Sequence, residues 1–151
     1  MIPSEPHPVT ALAAAPLAEV LDLGERLTLR HCVRHASVPQ DGLFLLALED
    51  GIRQEPWYIG EIPVASVLVE VSAADGRKTR GGAVLMGVDA AFATAVAVCD
   101  AVLRAGFDGA EEVASLVQRG RMTLTQRASE RAAQRAATRV DFADLADGAT
   151  A

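Results

Sequence analysis

Apolar positions recur along the chain with different spacings, which divide it into a helical start, an extended middle and a helical end. From Val9 to Leu27 the spacing is helical, with an interruption at Pro16. From Leu27 to Met86 the pattern changes to short apolar runs and alternations that are typical of strands. Helical spacing returns after Asp89. This order predicts an α+β fold in which an N-terminal helix and C-terminal helices pack on an antiparallel sheet.

The extended middle predicts four or five strands. "LTLRHCVRH" alternates apolar and polar side chains, and "LFLLALE" is an apolar run short enough to be a buried strand. Pro63 is expected to end "WYIGEI", and Asp75-Gly76 is expected to close a hairpin that "AVLMGV" completes. We therefore expect an antiparallel meander. Of the neighbouring residues Trp57 and Tyr58, one is expected in the core and the other at the surface.

The last part of the chain predicts two or more helices. Asp89 suits the N-cap and Gly106 the C-terminal end of a helix that is apolar nearly all round. Such a helix should be covered on two sides, by the sheet and by either another helix or another subunit. Asp108 and Glu111 have the spacing of a helix start signal, and Gly120 is expected to interrupt that next helix.

Composition restricts the size and class of the protein. The 151 residues predict a single domain over 1–151, with residues 1–8 and 143–151 as flexible tails. The formal net charge of −6 argues against general nucleic-acid binding. Residues 119–139 are the exception, because six arginines and one glutamate give them a net charge of +5.

The sequence gives little indication of a metal site, a disulfide bond or a membrane-spanning segment. Cys32 and Cys99 form neither a disulfide framework nor a metal-binding spacing. His31 and His35 on one strand would lie about 13 Å apart, too far to share an ion. No signal peptide or membrane span is apparent, so we expect a cytoplasmic protein without a bound metal.

A stripe of arginines marks the last predicted helix. Arg127, Arg131 and Arg135 recur every fourth residue and therefore share one face. Like charges at this spacing repel each other, and an anionic ligand or partner would offset the repulsion. The stripe is a candidate anion contact, and a solvated face or a protein contact stays open as the alternative.

The segment after this helix is the second candidate. Arg139, Val140, Asp141 and Phe142 stand where an ordinary chain end would not require a large apolar residue. We expect these four residues to dock on a partner, with Phe142 buried in an apolar pocket. The alternative is that Phe142 packs on the sheet of its own chain.

Four segments, in this order, resemble the PhnG family, a small subunit of the bacterial carbon–phosphorus lyase system. They are "DGLFLLAL", "PWYIGEIPVASVLVEV", "LMGVDAAFATAVAVCDAVL" and "RAAQRAATRVDFADLADG". The resemblance covers residues 40–148. Within it, the residues that match turns, caps and docking positions of the family are Gly60, Glu61, Gly87, Asp89, Asp100, Arg139, Asp141 and Phe142.

The resemblance implies a function in phosphonate catabolism. With subunits of the PhnH, PhnI and PhnL types, the family is needed to replace the adenine of MgATP by an alkylphosphonate. PhnJ is a further member of the assembly. The chain is thus expected to be a subunit of a transferase, in a hetero-oligomer, with no catalytic residues and no cofactor of its own. A homodimer of the isolated chain stays open.

Several departures from the family concern polar and basic residues. Val88 stands where the family usually has arginine, Thr94 where it has glutamate, and Asp147 where it has a final arginine. These losses put the corresponding ligand contacts in doubt. The alternative is therefore a diverged phosphate- or phosphonate-binding module that acts outside the complex.

Overall fold

The computed structural model describes residues 5–138, which form four helices and four strands. The helices are α1 (Pro8–Ala14), α2 (Leu17–Arg30), α3 (Ala90–Ala105) and α4 (Ala110–Ala137). The strands are β1 (Cys32–His35), β2 (Gln40–Glu49), β3 (Pro56–Ser72) and β4 (Lys78–Met86). The fold is α+β, as the sequence predicts. Along the chain, the strands of an open antiparallel sheet follow the N-terminal helices and precede the C-terminal helices.

β3 is the centre of the sheet, and all other strands pair with it. Its first half pairs with β2, where Phe44 lies opposite Ile62. Its second half pairs with β1 on the same edge and with β4 on the other edge. β2, β3 and β4 pair in chain order, as the predicted meander requires, whereas β1 pairs with β3 and not with β2. Pro63 does not end the strand, since it lies within β3, which is 17 residues long.

The core lies on one face of the second half of β3. Side chains alternate along a strand, and Ala65, Val67, Val69 and Val71 all point towards the helices and are buried. α3 packs on this face and is itself covered by α2 and α4, so ten of its 16 residues are buried. The second cover that its composition requires is thus provided by the chain's own helices.

The first strand begins later than the sequence predicts. α2 continues to Arg30, and only Cys32–His35 is extended. Val20, Leu23 and Leu27 are at most 3% exposed and recur at helical spacing on one buried face of α2. Burial of this face stabilises the helix over residues whose local pattern also suits a strand.

α4 also differs from the prediction in two ways. Its N-cap is Gly109, without a side-chain cap, so Asp108 and Glu111 do not form the expected start signal. Gly120 does not interrupt the helix. An added Cβ at Gly120 would lie 1.9 Å from the carbonyl oxygen of Ala11, and this glycine therefore lets α1 and α4 pack closely.

The strands β2 and β3 project beyond the core as a two-stranded ribbon, which comprises residues 40–63. Every residue of β2 is exposed or half-buried. The expectation that "LFLLALE" is a buried strand is therefore wrong, because no helix of the described chain covers this part of the sheet.

Candidate functional site

The ribbon exposes large apolar side chains on both of its faces. Trp57 is 64% exposed and Tyr58 57% exposed, so the expectation that one of them lies in the core is wrong. Sequence reasoning missed this surface, although apolar residues that follow one another without alternation were a usable signal. The large apolar residues exposed here are Leu43, Phe44, Leu45, Leu48, Ile52, Trp57, Tyr58 and Ile59.

One ribbon face continues onto the outer face of the sheet. Residues opposite each other in an antiparallel pair share a face, which applies to Phe44 with Ile62 and to Val64 with Met86. Met86 is 67% exposed, and Val84 on the same face is 69% exposed. We call this surface the outer apolar strip, and it consists of Phe44, Ile62, Val64, Val84 and Met86.

Both edges of the ribbon lack a strand partner within residues 5–138. β2 pairs with β3 on one side only, and the pairing of β4 with β3 begins at Val64. The register shifts between Leu46 and Ala47, opposite Gly60. Glu61 lies beside this irregularity, opposite Leu45, and is exposed. Unpaired edges of this kind are sites where another chain can add hydrogen bonds.

The tip of the ribbon is an ordered turn with acidic side chains. The Asp50 carboxylate accepts a hydrogen bond from the backbone N–H of Ile52 at 2.9 Å, and the Asp50 carbonyl accepts one from Gln54 at 2.8 Å. Beside it lies an open concavity of about 500 Å³. Its lining consists of Leu48, Glu49, Asp50, Glu55, Pro56 and Trp57.

The C-terminal half of α4 projects from the core as a basic arm, which comprises residues 125–138, all exposed. Arg127, Arg131 and Arg135 lie on it, and none of them forms an ion pair with another residue of 5–138. Nearer the core, by contrast, Arg119 pairs with Glu19 at 2.5 Å and Arg121 with Glu5 at 2.7 Å. The arm therefore presents uncompensated positive charge.

The remaining matched residues have structural positions. Asp89 is the N-cap of α3, and its carboxylate accepts a hydrogen bond from Phe92 N–H at 2.9 Å. Gly87 has a φ of 71°, which favours glycine, in the turn before it. Asp100 is 4% exposed, pairs with Arg104 and accepts a hydrogen bond from Gly82 N–H at 3.4 Å. These residues hold the turn, the helix and the sheet together.

The buried thiol of Cys99 is unsuited to nucleophilic chemistry. Burial raises its pKa to about 12, and the nearby carboxylate of Asp100 adds to this shift. A thiol with such a pKa stays protonated at neutral pH. Within residues 5–138, no three side chains of histidine, cysteine, aspartate or glutamate are grouped to hold a metal ion.

The predicted docking residues Arg139, Val140, Asp141 and Phe142 lie outside the residues that the structure describes.

Within residues 5–138, no single helix is both long and apolar enough to cross a membrane. α3 and α4 together meet the criterion only as a pair bent by 116°.

Comparison with known proteins places the chain in a family. Comparison with curated proteins gives no match. The family model described as phosphonate metabolism protein PhnG matches residues 6–148, which is nearly the whole of the 151-residue chain. The matched range includes the ribbon, the whole core and the basic arm. The chain therefore belongs to the PhnG family and has a role in phosphonate metabolism.

Proposed function

We propose that this chain is an accessory subunit of the carbon–phosphorus lyase system. In the proposed reaction, an oxygen of an alkylphosphonate replaces the adenine nitrogen at C1′ of the ribose of MgATP. Adenine leaves, and the product is a ribose 1-phosphonate 5-triphosphate. Subunits of the PhnH, PhnI and PhnL types take part in this step in the cytoplasm, and a PhnJ-type subunit belongs to the same assembly. The present chain supplies contacts and no catalytic residue.

The observation that supports this role is the exposed apolar surface of the ribbon. Monomeric proteins rarely leave such a large group of apolar side chains in water, and a surface of this kind marks an interaction site. Eight large apolar side chains of the ribbon are each at least 46% exposed. The buried Cys99, in contrast to this exposed surface, is enclosed in the core and its thiol stays protonated, so it does not serve as a nucleophile.

The role is tested by reconstitution. Adenine release from MgATP in the presence of methylphosphonate is measured for the mixture of subunits, for the mixture without this chain, and for this chain alone. We expect release only from the complete mixture. Release by the isolated chain at a rate comparable to that of the mixture would contradict an accessory role.

A second candidate is a phosphate- or phosphonate-binding module that acts alone. It is favoured by the exposed Arg127, Arg131 and Arg135, which have no ion-pair partner among the described residues. Titration of the isolated chain with ATP and with methylphosphonate distinguishes the two functions. Binding that disappears when the three arginines are changed to glutamine supports the module, and no binding supports the accessory subunit.

Docking of Arg139–Phe142 on a partner is a separate part of the proposal. Phe142→Ala is compared with the unchanged chain for co-purification of partner subunits and for melting temperature. Loss of the partners at an unchanged melting temperature supports docking. A large fall in melting temperature with the partners retained would assign Phe142 to the core of its own chain.

A further inference from the structure

The ribbon combines apolar faces with a surplus of negative charge. Residues 40–63 contain five acidic residues and one arginine, which gives a net charge of −4. The acidic side chains flank the apolar positions, as Glu49 and Glu55 do at the tip and Glu61 does opposite Leu45. A complementary surface must therefore offer apolar side chains together with positive charge.

A second ribbon does not meet this requirement. Two copies of the ribbon brought together would each carry the net charge of −4 into the same contact, and like charges in an interface oppose association. The acidic residues on the exposed strands thus also disfavour edge-to-edge pairing of identical chains.

The basic arm of a second copy does not meet the requirement either. It carries Arg127, Arg131 and Arg135, but its only apolar residues over positions 125–138 are alanines. Alanine side chains are too small to cover the rings of Phe44 and Trp57, which are exposed by 57% and 64%. The occupant needs larger apolar side chains than the basic arm presents over positions 125–138.

We propose that the ribbon and the outer apolar strip form the surface on which another subunit of the assembly docks. The docked element carries large apolar side chains flanked by lysine or arginine. This inference rests on the proposed function, because it names the surface and the partner chemistry through which the accessory role is carried out. The apolar side chains stabilise the contact, and the charges direct the partner to the ribbon and exclude a second ribbon.

Single substitutions on exposed residues test the surface without disturbing the core. Phe44→Ser and Tyr58→Ser remove apolar side chains from the ribbon, and Leu29→Ser is the matched control, because Leu29 is 82% exposed on α2. Each variant is co-expressed with the other subunits, and its Kd for the purified partner is measured. We expect the ribbon variants to raise the Kd at least about tenfold and the control to leave it unchanged.

Charge reversal tests the chemistry of the partner. Glu55→Lys on the ribbon is compared with Glu25→Lys, because Glu25 is an exposed carboxylate of α2. We expect Glu55→Lys to weaken binding about threefold to tenfold at low salt and less at high salt, since salt screens exposed charges. Glu25→Lys should have no effect. Equal effects of the two reversals, or none, would refute a basic partner.

The chain's only tryptophan, Trp57, reports on the ribbon directly. On docking its fluorescence should shift to shorter wavelength, and the isolated chain should show no change with concentration. A concentration-dependent shift, together with dimer mass in sedimentation, would identify a second copy as the occupant and overturn the inference. If partners bind while the ribbon variants have no effect, the inference fails and the accessory role stands. If the unchanged chain binds no partner, both fail.

Discussion

Two glycines let neighbouring backbones approach more closely than any other residue would allow. An added Cβ at Gly120 would lie 1.9 Å from the carbonyl oxygen of Ala11, and one at Gly81 would lie 2.1 Å from that of Ala97. The first contact joins α1 to α4, and the second joins β4 to α3. Alanine-rich elements bury little area each, and such close contacts increase the number of atoms in van der Waals contact.

Gly120→Ala should destabilise the protein although alanine favours a helix. The methyl group would require α1 to move away from α4, and overpacking of this kind costs about 1–3 kcal/mol of the free energy of unfolding. Urea denaturation measures the loss. Gly42→Ala is the control, because a Cβ there meets nothing within 4 Å. Equal stability of the two variants would contradict the close packing of α1 on α4.

The two cysteines should differ in reactivity. Cys32 is exposed, whereas Cys99 is buried with a pKa raised to about 12. In the native protein at neutral pH, we expect a thiol reagent to modify Cys32 and to leave Cys99 unmodified until the chain unfolds. Mass spectrometry of the labelled peptides measures both. Prompt modification of native Cys99 would show that the core around α3 opens readily.

At the scale of the helices, one carboxylate connects α2 to α4. Glu112 of α4 accepts hydrogen bonds from Arg26 at 2.9 Å and from Arg30 at 2.6 Å, both on α2. The hydrogen bond from Arg30, followed by that from Arg26, lowers the pKa of Glu112 below its ordinary value of 4.5. Folding therefore favours the ionised form of this side chain.

The sign of this shift predicts how stability depends on pH. A carboxyl group with a lowered pKa stabilises the folded state above 4.5, and this contribution is lost as the pH falls through the lowered value. We expect the unchanged protein to be more stable than Glu112→Gln at neutral pH, with the difference disappearing in acid. Thermal melts across this range measure it, and Glu111→Gln serves as the control. A difference that does not vary with pH would contradict the ion pairs.

At the scale of the whole molecule, the described chain consists of a helix-covered core with two projections, the ribbon and the basic arm. Protection of backbone amides should follow this division. Val67, Val69 and Val71 of β3 are at most 3% exposed under α3, whereas every residue of β2 is exposed or half-buried. Regions with few buried contacts open at low free-energy cost.

Hydrogen exchange should therefore be slow in α3 and in the second half of β3 and fast in β2 and the arm. Exchange of the isolated chain, measured by mass spectrometry of its peptides, gives these rates. Binding of a partner should slow exchange in the ribbon. Protection of β2 in the isolated chain as strong as that of the core strand would contradict an uncovered ribbon.

The sequence predicts much of the architecture because several elements depend on local chemistry. Asp89 begins α3, because its carboxylate caps the helix, and Gly106 ends it with a φ of 62°, which glycine adopts readily because it has no Cβ. Asp75 and Gly76 form the turn between β3 and β4, where the Asp75 carboxylate accepts hydrogen bonds from Arg77. A cap or a tight turn needs only neighbouring residues, so its signal is contained in a few positions.

The sequence by itself therefore determined the fold class, the capped apolar helix α3 and the uneven distribution of charge. Only the tertiary structure decided that α2 continues through Leu27, that β3 runs on through Pro63 and that "LFLLALE" is exposed. The physical reason is that burial depends on what covers an element. An apolar strand has the same sequence pattern whether its cover is a helix of its own chain or the surface of another protein.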